Sequence, residues 1–142
     1  RVQHRAYDMV IDSLRLQLKS TRVVTGPMRV QLKRGLRNLR QYSLTDFEVL
    51  IHIAKKEESE SIACLHVFPI AELFLRKTVG QLRQAGYMTL YPLSVTPTGK
   101  QAWQLEYRFD PETLLTSPQE QERLAQIFKR CSVMRERLAL NA

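Results

Sequence analysis

Two cysteines, one tryptophan and five glycines in 142 residues are few, and each shortage closes off a class of protein. Cys64 and Cys131 both sit among apolar neighbours, so they read as reduced, buried thiols and not as a disulfide framework or a cysteine-rich metal site. His4, His52 and His66 lack companion ligands at metal spacing, and no metal is expected. No apolar run approaches the roughly 20 residues that cross a bilayer. The opening RVQHRAYDMV also lacks the apolar core and small-residue cleavage site of a secretory signal. The expectation is a cytoplasmic protein without membrane engagement. Pro97-Thr98-Gly99-Lys100 is no phosphate loop, because Ser94 stands where a glycine is needed and Gln101 where a Ser or Thr is needed. With no Gly-x-Ser-x-Gly, carboxylate cluster or Cys-His pair, the chain reads as a non-enzyme that needs no cofactor.

What the chain does contain is apolar material and positive charge. Hydrophobic residues at 44% and charged residues at 25% are globular values, which rules against disorder and suits one compact domain. The formal charge is +8, with a pI near 9.9. Residues 1–40 carry ten Lys/Arg against two Asp, whereas 41–60 are net acidic and 101–142 are balanced. Charge gathered in one segment draws polyanions such as nucleic acid or an acidic membrane surface.

Periodicity suggests mostly helices. Tyr7, Ile11, Leu14 and Leu18 place an amphipathic helix over 3–19. A second, over 28–40, sets Met28, Leu32, Leu36 and Leu39 beside a basic stripe of Arg29, Lys33, Arg37 and Arg40. That stripe is open to three readings: a solvated face, an accessory phosphate-binding arm, or a membrane-surface helix. Thr45-x-x-Glu48 resembles a capping box opening a helix over 46–56, with Phe47, Leu50, Ile51 and Ala54 inward. After the acidic loop Glu57–Glu60, a short helix is expected over 61–68. A longer one follows over 70–84, with Ala71, Leu75, Val79 and Leu82 inward and Gly86 as C-cap. The period then becomes two: 87–95 and 101–109 read as a β-hairpin around Thr96–Lys100, with Trp103, Leu105, Tyr107 and Phe109 on one face. Ser117, Pro118 and Glu120 cap a last helix over 118–139. Its Leu124, Ile127, Cys131, Met134 and Leu138 recur at alternating spacings of three and four, the pattern of a helix–helix seam.

Helix, short helix, helix and hairpin in this order, with the phrase AELFLRKTVGQLRQAGYM and the turn VTPTGKQA, resemble the winged helix-turn-helix of PadR-type and MarR-type transcriptional regulators. The wing followed by one seam-bearing helix is also similar to replication terminators. The resemblance implies a mainly α fold with a small β-hairpin wing, flanked by N-terminal helices and a C-terminal dimerisation helix. Its parts would be a basic extension over 1–42, a DNA-binding unit over 43–110 and the dimerisation helix over 111–142. It implies sequence-specific binding of double-stranded DNA by a homodimer, as a transcriptional regulator acting by repression. Arg76, Lys77 and Arg83 would serve the recognition helix, Lys100 and Arg108 the wing, and the basic stripe would assist. Ile70 and Leu73 fall opposite the inward stripe of helix 70–84, which keeps a protein-interaction adaptor as an alternative; replication control is another.

Overall fold

The computed structural model describes residues 9–23, 28–32, 47–76, 79–82 and 87–140. It overturns the mainly α, winged-helix expectation: the chain is a mixed α/β fold built on a five-stranded sheet. In chain order the elements are β1 (Met9–Ile11), β2 (Leu14–Arg22), β3 (Met28–Leu32), β4 (Val49–Lys55), β5 (Ile62–Pro69), α1 (Ile70–Leu75), β6 (Val79–Leu82) and β7 (Tyr87–Leu93). A 3₁₀ helix (Gly99–Tyr107), β8 (Arg108–Phe109), α2 (Pro111–Thr116) and α3 (Pro118–Leu140) complete it. The large sheet runs β1-β2-β4-β5-β8, and β3, β7 and β6 form a second, three-stranded sheet. Within the large sheet β2 and β4 are parallel, and every other pairing is antiparallel.

Each correction has a local physical reason. The expected helix over 3–19 is, from residue 9 onward, a hairpin that turns through Asp12 and Ser13, both at positive φ (51° and 67°). Positive φ at both central residues is the geometry that matches strand twist, but it is usually signalled by Asn-Gly or Asp-Gly, not Asp-Ser. A spacing of four, as from Leu14 to Leu18, satisfies a strand as well as a helix. In β2 the alternate residues Leu14 and Leu16 are buried, while Ile11 is 40% exposed. Segment 46–56 forms β4, whose Val49, Leu50 and Ala54 are all fully buried. A strand covered on both faces shows a continuous apolar run, which periodicity cannot tell from a buried helix. Residues 62–69 pair with it residue for residue from Val49↔Pro69 to Ala54↔Cys64. The helix expected over 70–84 stops at Leu75, and Val79–Leu82 is strand.

The hairpin expected over 87–109 does not form, because its first arm pairs with β3 and β6 and its second is mostly helical. Tyr87–Leu93 is a strand, but Gly99–Tyr107 winds as a 3₁₀ helix, started by Gly99 at φ 59°. Only Arg108 and Phe109 are strand, and they pair with β5. The last helix is observed over Pro118–Leu140, with the Ser117 hydroxyl accepting the Glu120 N–H. The short α2 before it is not marked by any periodicity; Asp110 caps it by accepting the N–H groups of Glu112 and Thr113. Helix α3 lies against β2 and β5. Its Arg123 lies over the Phe109 ring at 3.8 Å and donates to the Glu106 and Arg108 carbonyls, which ties β8 to the helix.

Leu16 and Ile11 distinguish the strand from the helix directly. Leu16→Ala should cost about 2–5 kcal/mol by the rule for buried leucines, whereas Ile11→Ala, on the exposed edge, should stay within about 0.5 kcal/mol. Urea unfolding of the two variants checks this; the reverse ranking would restore the helix with Ile11 inward.

Candidate functional site

Strand register decides which polar side chains meet. On one face of the large sheet, Thr21 and Lys19 of β2 lie beside Ala54 and His52 of β4, followed by Cys64 and His66 of β5 and Arg108 of β8. His52 and His66 are fully buried and face each other, with their Nδ1 atoms 3.1 Å apart. The Thr21 hydroxyl lies 2.7 Å from His52 Nε2 and 3.5 Å from Met28 Sδ. Of the two facing Nδ1 atoms one must carry the proton and the other accept it, so the pair holds together only while at least one ring is neutral. Burial pushes His52 down to about 4. His66 falls to about 3, first through burial and then through His52 and Arg108, with the Ser94 backbone pulling the other way. The two histidines of this row are enclosed within the core.

A second constellation reaches the surface. Glu72 of α1 is 7% exposed, and its Oε1 accepts the Tyr107 hydroxyl at 3.1 Å and the Arg76 Nε–H at 3.1 Å, with Arg130 Nη2 at 3.9 Å. Tied in this way, the Arg76 guanidinium lies 4.6 Å over the Trp103 ring. Phe68 and Tyr107 brace the indole at 5.7 and 6.2 Å, the first tilted and the second edge-on. Arg130 sits 5.6 Å over Tyr107 and reaches Glu106 at 3.7 Å. A 3₁₀ helix has three residues per turn, so Lys100, Trp103 and Glu106 share one row. Lys100 is exposed, about 6 Å along the axis from Trp103 at 2.0 Å per residue. Buried beneath carboxylate and guanidinium, the Tyr107 phenol is pushed well above its usual range, by desolvation first and by Glu72 second.

Of the cations named from sequence, the structure brings Arg76 and Lys100 to this surface. Arg108 is half-buried in the sheet beside His66, its Nε without a hydrogen-bond partner among the described residues, so it does not ride on an outward wing face. Arg29 lies in β3, where only its backbone is described; Lys33, Arg37, Arg40, Lys77 and Arg83 lie outside the described residues. Ile70 and Leu73, expected opposite the core stripe, are 2% and 0% exposed and belong to the core. In the seam of α3, Ile127 and Cys131 pack into the chain's own core, Leu124 lies partly buried against it, Met134 is half-buried and Leu138 is described by its backbone. Burial raises the Cys131 thiol to about 12, and raises that of Cys64 as well. Trp103, Glu72, Tyr107 and Arg130 were missed as site residues. The available signal was the only tryptophan, which the alternating pattern assigned to the core.

Among the described residues no helix is long and apolar enough to cross a membrane, and no group of three or more His, Cys, Asp or Glu could hold a metal ion. An open hollow lined by Lys56, Glu60, Ser61, Asp110 and Glu112 has more acids than bases and does not suit an anion. Compared with protein-family models and with curated proteins, the chain matches none.

The buried histidines give the fold a signed pH dependence. Both are depressed below the unfolded value near 6.5, so their contribution is complete above that pH. It is lost as the pH falls toward 4 for His52 and 3 for His66, at up to about 1.4 kcal/mol per pH unit for each. Urea unfolding at several pH values between 7.5 and 4.5 should show that slope, and His66→Phe should make it shallower. An equally steep slope in the variant would assign the dependence to other groups.

Proposed function

We propose that the chain binds nucleic acid and that the surface around Trp103 makes the contact. The observation that supports this reading is the Arg76 guanidinium held over the indole, with Lys100 on the same 3₁₀ row as Trp103 and Arg130 entering from α3. Guanidinium and ammonium groups meet phosphate by charge and by hydrogen bonds, and a planar fork fixed beforehand loses less entropy on binding. The net +8 of the whole chain adds long-range attraction for a polyanion.

The partner class expected from sequence is retained, and the route to it changes. Helix α1 has six residues, about 9 Å at 1.5 Å per residue, and its first residues are buried, so it is not a helix laid into a major groove. The contact is therefore argued from phosphate positioning, which gives affinity and register, not base readout. Regulation of transcription by a dimer on duplex DNA, with repression by occlusion, would draw on the same contact, two linked copies binding far more tightly than one.

Two acids share the surface, and they sharpen the test. Glu72 is buried beneath the guanidiniums, while Glu106 is exposed beside Arg130. Anisotropy of a labelled DNA fragment over a salt series should show that Lys100→Ala and Arg76→Ala each lower the salt slope by about one. Glu106→Gln should tighten binding. No binding at low salt, or slopes unchanged in both cation variants, would remove the proposal.

A further inference from the structure

We infer that the Arg76–Trp103 stack receives an unpaired nucleobase, so that the surface prefers nucleic acid with a single-stranded segment. The inference rests on the nucleic-acid reading above and names the form of the ligand. Its starting point is geometry: the Arg76 guanidinium carbon lies over the Trp103 ring, 4.6 Å from its centroid. The Arg76 side chain is 37% exposed while its Nε is tethered to Glu72, so part of the group is accessible and its position is held. A base laid on the guanidinium continues the stack, and every base has the π-face this requires.

Rigidity argues in the same direction. Trp103 is wedged against Phe68 and Tyr107, and Tyr107 is fixed by its hydrogen bond to Glu72, so the platform is set before a ligand arrives. A base inside a duplex is covered on both faces and offers only its edge within a groove. A splayed base can come to the platform instead, while Lys100 on one side and Arg130 on the other are placed to meet the flanking phosphates.

Trp103 is the only tryptophan, so emission of the unmodified protein reports on this site alone. An oligothymidylate of about 15 nucleotides, near the upper end of single-strand site sizes, is titrated against a blunt-ended hairpin duplex at matched salt. The expected result is saturable quenching by the oligothymidylate, with affinity above that for the duplex. Trp103→Leu should weaken oligothymidylate binding about tenfold or more, and Trp103→Phe should restore most of the loss. If the duplex binds as tightly as the oligothymidylate, or the oligothymidylate binds without changing Trp103 emission, the base-stacking inference falls and the nucleic-acid reading survives. Binding of neither probe at low salt overturns both.

Discussion

The Glu48 carboxylate is 3% exposed, and an ionised group in that position is tolerated only when its oxygens are filled by donors. Arg15 fills them: its backbone N–H donates to Oε1 at 2.8 Å and its Nε–H to both oxygens, at 3.2 and 3.1 Å. The backbone of Glu48 adds two more ties, donating to the Arg15 carbonyl and accepting the Ile70 N–H, each at 3.0 Å. One residue thus joins the start of β2, the start of β4 and the start of α1. The parallel pairing of β2 with β4 needs such a clamp, since no tight turn connects parallel strands. Leaving either partner without the other would strand a buried charge, a loss of about 3–5 kcal/mol in comparable pairs.

From that clamp the sheet register follows, and from the register the line of rings that leads to the surface. His52 and His66 stack at 5.3 Å between centroids, His66 and Phe68 at 5.4 Å, and Phe68 meets Trp103 and Tyr107 at 5.7 Å. The buried pair therefore sets the floor on which the Arg76–Trp103 platform rests. Glu72 closes the arrangement from α1, holding Arg76 and Tyr107 with one oxygen. The platform rests on the core beneath it, and the bond from Arg76 Nε to Glu72 ties an exposed guanidinium to that core.

Some features were legible in the residues alone. The +8 charge and its concentration before residue 41 need no coordinates. Ser117, Pro118 and Glu120 fix the start of α3 through bonds confined to one turn, and the β-rich run at Tyr87–Leu93 is strand as expected. The burial of Cys64 and Cys131 followed from their apolar neighbours. In each case the deciding interaction is local, or is set by composition. The tertiary structure decided the rest. Leu14, Leu18 and the Val49–Ala54 run fit either a helix or a buried strand, and pairing with β4 and β5 selects the strand. Trp103 reads as one step of an alternation until Phe68, Tyr107 and Arg76, brought from other segments or another turn, hold it half-buried under a guanidinium. Periodicity records only which residues are apolar; which neighbours cover them depends on contacts between segments distant in the chain, and those contacts set both the strand register and the site.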